Sequence, residues 1–153
     1  MLGLAKLVAV YEGGEPAKYE SGFEREVELY AGTDIDHLLV AEHEDEVVAF
    51  ARARLFQHPD DAPPNCAPEG YYLSGVIVAP SRRHLGIAKL LTERRIEWAA
   101  KRASKIYLVL NTTNRASLAL QARMGFKELS REMFYPGLDI DPGKTVVHVL
   151  DLA

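Results

Sequence analysis

The fold is decided by the stretch Val78-Ala79-Pro80-Ser81-Arg82-Arg83-His84-Leu85-Gly86-Ile87-Ala88. It follows the apolar run 71–79, which predicts a strand, and it leads into the helical pattern 84–103. A glycine in such a loop lets the backbone approach a ligand closely, and the free amides at a helix N-terminus favour an anion. The stretch therefore predicts an anion-binding loop. The alternative is an ordinary helix start with two solvated arginines.

The elements around this stretch predict an α/β fold. Since 71–79, 84–103 and 106–110 form a strand, a helix and a strand, the two strands should lie parallel with a right-handed crossover. Ligands of such sheets bind beyond the carboxyl ends of the parallel strands, here near 78–86 and 110–117. The other predicted elements are helices over 2–12, 16–30 and 114–124, a hairpin of 38–42 with 47–56, a loop over 57–69, strands over 126–135 and 146–152, and a turn over 136–143.

Length and composition are those of one globular domain. The 153 residues are 48% apolar and 26% charged, with a net charge of −4. Residues 1–75 carry 5 basic and 15 acidic side chains, a balance of −10, whereas 76–153 carry 13 and 7, a balance of +6. Opposed halves suggest an anionic ligand for the second half and a cationic one for the first, unless both are solvated surface.

Other features exclude several classes of protein. The single Cys66 permits no internal disulfide, and the five histidines show no metal-ligand spacing with it, so we expect a reducing compartment and no metal. No apolar run approaches about 18 residues and no leader precedes the fold, which predicts a cytoplasmic protein without a membrane span. The acidic total also argues against binding to nucleic acid.

Two motifs resemble those of the GNAT superfamily of acetyl-CoA-dependent N-acetyltransferases. Residues 83–88 fit its Arg/Gln-x-x-Gly-x-Gly/Ala motif after a Val-x-Val-x-Pro strand end. Residues 114–126 are similar to its second motif, Asn-x-x-Ala/Ser-x-x-Leu-Tyr-x-x-x-Gly-Phe. The resemblance covers 38–152 in the order of elements and is sharpest over 71–126. It implies a single GNAT-like domain over 1–153, with a mixed, mostly antiparallel sheet, a central parallel strand pair and helices on both faces.

The resemblance also implies how acetyl-CoA would be bound. The loop at 83–88 would hold the pyrophosphate through backbone amides, and the strand end at 76–78 would splay from its neighbour to pair with the pantetheine arm. A backbone N–H of Val76, Ile77 or Val78 would stabilise the tetrahedral oxyanion. The implied cofactor-binding residues are Ile77, Val78, Ala79, Arg82, Arg83, His84, Leu85, Gly86, Ile87, Ala88, Asn114, Ala116, Ser117, Leu120 and Arg123.

The sequence departs from the family at one catalytic position. Gln121 stands where the family commonly has a tyrosine that protonates the CoA thiolate. An amide can donate a hydrogen bond but cannot deliver a proton, so Tyr135, Ser117 or Cys66 would act instead, or water would, or the thiolate would leave unaided. For the base that deprotonates the acceptor amine, the candidate is Glu69 at the start of the strand.

The N-terminus departs from the family as well. The family begins with a strand before its first helix, whereas residues 1–37 predict helices only. Either this start is internal to the natural chain, or the strand is absent and 38–42 forms a sheet edge. An open edge invites pairing with another chain, so we expect a homodimer.

The expected function is transfer of an acetyl group from acetyl-CoA to a primary amine by direct attack. The acceptor would sit on the acidic side, among 16–30, the loop 57–69 and the turn 136–143, where carboxylates favour a cationic small molecule. A protein N-terminus or lysine is the second acceptor class. A non-catalytic module that binds acyl-CoA is the third possibility, because Gln121 replaces the usual acid.

Overall fold

The structure is a computed structural model that describes residues 3, 6, 7, 15–17, 24, 25, 32–138 and 143–153. These residues include six strands, two α-helices of 14 and 9 residues, and a short 3-10 helix, Pro80–Arg82. The strands are β1 (Asp36–His43), β2 (Glu46–Phe56), β3 (Gly70–Val78), β4 (Lys105–Asn111), β5 (Lys127–Ser130) and β6 (Thr145–Asp151). The helices are α1 (Ile87–Ala100) and α2 (Arg115–Arg123).

The sheet is mixed, as the sequence predicts. Its strands run in the order β1-β2-β3-β4-β6-β5. β3 and β4 are parallel, whereas the pairs β1–β2, β4–β6 and β5–β6 are antiparallel. The α/β class and the parallel pair joined by α1 are therefore confirmed. The predicted helices over 2–12 and 16–30 lie almost entirely outside the described residues.

Contacts between Cα atoms divide the chain into two compact units. The first contains residues 1–54 and 75–95, and the second contains 55–74 and 96–153. In the first unit, Ala49, Ala51 and Leu91 are buried together, and α1 thus packs on β2. In the second unit, Tyr72 and Val147 are buried with Ala67, so a residue of the 57–69 loop belongs to the core.

Helix α1 starts later than predicted and buries a different arginine. His84 and Gly86 have φ values of 63° and 82°, which a right-handed helix cannot contain, so α1 begins at Ile87. By helical phase, Arg94 falls on the same face as Ile87, Leu91 and Trp98. Arg95 is nevertheless the buried residue, at 2% exposure. Its Nη1 donates to the Arg52 carbonyl at 2.9 Å and joins α1 to β2. Burial lowers the pKa of Arg95 to about 10.

The strand predicted over 126–135 is much shorter. β5 ends at Ser130, after a register shift against β6. The Arg131 side chain turns back to form a bidentate ion pair with Glu128, at 2.7 and 2.9 Å, and the Ser130 hydroxyl accepts from the Glu132 amide at 3.1 Å. These local bonds favour a turn over continued pairing. The chain therefore leaves the sheet before Phe134, which meets Cys66 in an isolated bridge.

Candidate acetyl-CoA site

A glycine interrupts β3 just before the predicted oxyanion-binding amides. The parallel pairing with β4 covers Tyr71 to Leu73, and β3 runs on to Val78. Gly75 lies between Leu73 and Val78, with φ of +50°, and no atom of the described residues, its chain neighbours aside, lies within 4 Å of where a Cβ would be. Such a conformation inside a strand is typical of a kink or bulge. In the sequence, this feature is visible only as an isolated glycine within a strand pattern.

The anion-binding loop follows β3 directly, within the first unit. The Ala79 amide donates to the Val48 carbonyl at 2.8 Å and fixes the end of the strand. The first backbone bond into α1 runs from the Leu90 amide to the Gly86 carbonyl, at 3.0 Å. The amides of the first turn, after Gly86, therefore have no partner within the helix. They form the donor set that a phosphate requires.

Positive charge accompanies these amides. Arg82 is half-buried and Arg83 is exposed. The Arg83 Nε donates to the Val78 carbonyl at 3.2 Å, which ties the loop back to β3. The first turn of α1 contains no acidic residue. The left-handed His84 and Gly86, the free amides and the arginines thus fit a pyrophosphate.

The second motif forms the start of α2, within the second unit. Asn114 caps the helix, because its Oδ1 accepts from the Ser117 amide at 3.1 Å. Its Nδ2 group is left as the donor for a ligand. Ala116 and Arg123 are exposed, whereas Ser117 and Leu120 are half-buried.

Gln121 is buried, at 4% exposure. Its Oε1 has no hydrogen-bond partner among the described residues. The side chain that replaces the family's tyrosine therefore lies in the interior of this structure. Its amide can donate a hydrogen bond but has no acidic proton, so Gln121 cannot act as a general acid.

Tyr135 belongs to a group of aromatic side chains in the second unit. Its ring centroid lies 4.7 Å from that of Phe56 and 5.0 Å from that of Tyr72. Tyr72 stacks on Tyr107 with centroids 5.2 Å apart, and its hydroxyl donates to the Pro68 carbonyl at 2.8 Å. Burial and the neighbouring Tyr135, Tyr107 and Cys66 raise the pKa of Tyr72, so this hydroxyl keeps its proton.

The candidate base already has a structural contact. Glu69 is exposed, and its Oε1 accepts from the His58 amide at 2.7 Å. Cys66, a candidate acid, is half-buried in the same loop. No group of three His, Cys, Asp or Glu side chains that could hold a metal occurs within the described ranges.

Comparisons with known proteins identify the family. The model of the acetyltransferase (GNAT) family matches residues 5–126, which include both motifs and the loop before α1. The chain belongs to the GNAT family of acetyltransferases. A GNAT enzyme uses acetyl-CoA as its acyl donor.

Solved GNAT structures share this fold. AAC(6')-Iy in complex with the bisubstrate analogue CoA-S-monomethyl-acetylneamine is 23% identical, covers 89% of this chain and 90% of its own, and has a TM-score of 0.67. The ribosomal-protein-alanine N-acetyltransferase from Brucella melitensis is 23% identical over 99% of this chain and 92% of its own, with a TM-score of 0.66. Chaetomium thermophilum Naa20 in complex with a bisubstrate analogue is 24% identical over 91% of this chain and 74% of its own, with a TM-score of 0.61.

No protein with a curated description matches the sequence significantly. In the part of the chain that the structure describes, every helix is too short or too polar to cross a bilayer.

Proposed function

We propose that this GNAT enzyme acetylates a primary amine of a cationic small molecule. The observation that carries the proposal is the loop before α1, where left-handed His84 and Gly86 precede a first turn of free amides. Arg82 and Arg83 add the charge that a pyrophosphate needs, and the first turn brings no acid to oppose it. The loop would hold the CoA pyrophosphate.

The strand before this loop would supply the electrophilic assistance. The backbone N–H of Val76 or Ile77 would donate to the thioester oxygen and strengthen that bond as the tetrahedral oxyanion forms. A donor of this kind stabilises the transition state by about 3 kcal/mol. The amine nitrogen forms the new bond to the carbonyl carbon, the carbon–sulfur bond then breaks, and the thiolate leaves with both electrons.

Two proton transfers remain to be assigned. Glu69 is our proposed base, since its carboxylate is exposed and held by the His58 amide. Tyr135 is our proposed acid for the thiolate, because Gln121 has no acidic proton and Tyr72 already donates to Pro68. The thiolate can also leave unprotonated, since a thiol has a pKa of about 8.5.

The charge of the described surface supports a cationic acceptor. Asp60, Asp61 and Glu69 are all exposed in the loop 57–69. Asp139 and Asp141, the acidic residues expected in the turn 136–143, lie outside the described residues. Carboxylates without adjacent cations attract an amine that carries further positive charge.

A protein N-terminus is the second candidate acceptor. Phe134 and Leu138 are 43% and 42% exposed just after β5, and such side chains suit a polypeptide better than a polyamine. The resemblance to a ribosomal-protein-alanine N-acetyltransferase also favours this class.

The test is thiol release from acetyl-CoA with a panel of acceptors, beside calorimetry of acetyl-CoA binding. We expect turnover with polyamines or aminoglycosides above that with an Ala-terminated peptide or a lysine peptide. The reverse order would make the protein an N-terminal or lysine acetyltransferase. Binding without thiol release from any amine would make it a non-catalytic acyl-CoA module.

We also propose a cytoplasmic homodimer. The lone Cys66 suits a reducing compartment. β1 is the first strand in the sheet order among the described residues, and an edge strand can pair with a second copy. Light scattering at micromolar concentration should give twice the mass of 17.0 kDa, and a monomer mass would overturn the dimer.

A further inference from the structure

The loop 57–69 is closed by its single histidine, His58. It has four prolines, and its internal backbone bonds are two turns, Ala62 to Pro59 at 3.0 Å and Cys66 to Pro63 at 2.9 Å. His58 Nε2 lies 2.7 Å from the Ala67 carbonyl oxygen. One imidazole therefore joins positions nine residues apart in a segment with few bonds of its own.

The chemistry of this contact fixes the histidine tautomer. A carbonyl oxygen can only accept, so His58 Nε2 must carry the hydrogen. The neutral ring then has its lone pair on Nδ1, and the protonated ring still donates from Nε2. The bond to Ala67 thus forms in both protonation states, and it needs a donor at the Nε2 position rather than a titrating ring.

Backbone hydrogen bonds at Ala67 connect the loop to the segment that carries Tyr135. The Ala67 amide donates to the Phe134 carbonyl at 2.7 Å, and the Phe134 amide donates to the Asn65 carbonyl at 2.9 Å. Tyr135 follows directly in the chain. Phe56 packs against both ends of the path, with its ring centroid 5.8 Å from His58 and 4.7 Å from Tyr135.

We propose that His58 is a positioning residue, which acts through Ala67 and Phe134 to hold Tyr135 for proton transfer to the departing thiolate. This inference rests on the proposed function, which assigns Tyr135 to proton transfer. The His58 backbone amide also holds Glu69, the proposed base. The loop and the segment 134–135 would then be placed as one body. The imidazole closes the loop, and the Asn65 Nδ2 adds a side-chain contact to the Glu132 carbonyl at 2.9 Å.

Two variants separate this role from the alternatives. His58→Gln keeps an amide nitrogen as many bonds from Cβ as Nε2, so it can still donate to Ala67. His58→Asn places its amide where Nδ1 lies and cannot reach. We expect His58→Asn to lower kcat about fivefold, the factor carried by one ordinary hydrogen bond. We expect His58→Gln to stay within about twofold of the wild type.

The controls exclude a merely structural loss. The KM values for acetyl-CoA and for the acceptor should not change, because Tyr135 acts after both have bound. Partial unfolding would also lower kcat, but it would lower the number of acetyl-CoA molecules bound per chain by the same factor, and calorimetry should find this number unchanged in His58→Asn. His43→Asn, at an exposed histidine of β1, should change none of these quantities.

Amide hydrogen exchange tests the same bond without catalysis. Exchange at Ala67 and Phe134 should be about fivefold faster in His58→Asn and unchanged in His58→Gln. Equal exchange in wild type and His58→Asn would overturn the inference, as would an equal fall in kcat in His58→Asn and His58→Gln. An inactive wild type with the expected exchange would refute the proposed function and leave the constraint on Tyr135 supported.

Discussion

Replacing Gly86 by alanine tests the anion-binding loop. Gly86 has φ of +82°, and among the described residues, its chain neighbours aside, no atom lies within 4 Å of a Cβ built on it. Steric crowding in the free protein is thus negligible, and the cost is that of a left-handed alanine, about 1–2 kcal/mol of folding free energy. The larger effect should appear in binding, because the loop must present its amides to a phosphate at close range.

The expected loss of affinity follows from the hydrogen bonds at stake. A hydrogen bond to a charged group contributes about 1.5–3 kcal/mol. Gly86→Ala, if it prevents one such bond, should weaken acetyl-CoA binding about 10- to 100-fold. Calorimetry with acetyl-CoA and with desulfo-CoA measures this loss, and denaturant unfolding measures the stability change separately.

Gly32→Ala is the matched control. Gly32 has a similar φ of +76°, and no atom of the residues that the structure describes, its chain neighbours aside, lies within 4 Å of its Cβ position, so its replacement should cost the same stability. It lies outside the loop and should leave acetyl-CoA affinity unchanged. Equal affinities of Gly86→Ala and Gly32→Ala for acetyl-CoA would refute the assignment of the pyrophosphate to this loop.

Three further predictions concern side chains outside the loop. Glu69→Gln keeps an oxygen that accepts from the His58 amide. If Glu69 is the base, this variant should lose at least about tenfold in kcat, and Glu69→Ala should lose no more kcat than Glu69→Gln does. Activity retained in Glu69→Gln but lost in Glu69→Ala would make the carboxylate a loop contact only. Gln121→Met removes a buried oxygen without a partner among the described residues and should raise the unfolding free energy by about 1 kcal/mol with kcat unchanged, whereas a fall in kcat would show that the amide serves catalysis. Burial lowers the pKa of His148, so the unfolded state binds its proton first and stability falls as pH drops through the histidine range; urea titrations from about pH 7 to pH 5 should show a smaller fall for His148→Asn than for the wild type, and equal slopes would contradict this.

The sequence was sufficient for the fold wherever one local signal governs the backbone. The prolines of 57–69 exclude a ladder and the apolar run 106–110 needs burial on both faces, so loop and strand were both predicted correctly. The interruption before α1 was visible as Gly86. The start of the helix at Ile87 was not visible, because histidine is not a residue type that signals the left-handed conformation His84 adopts.

Tertiary contacts decided the rest. Helical phase alone could not tell that Arg95 would be buried rather than Arg94, since its place depends on the Arg52 carbonyl of β2. The strand over 126–135 was overestimated because the Arg131–Glu128 pair ends it locally. For the candidate site, the motif residues were evident from the resemblance. His58 was not, because its partner lies nine residues away and depends on the folded loop.

A crystal structure with acetyl-CoA tests the central claim most directly. We predict that pyrophosphate oxygens will lie about 2.7–3.2 Å from backbone amides of residues 84–88, with the thioester oxygen at the N–H of Val76 or Ile77. A pyrophosphate bound elsewhere on the protein, or a loop that makes no contact with it, would contradict the account.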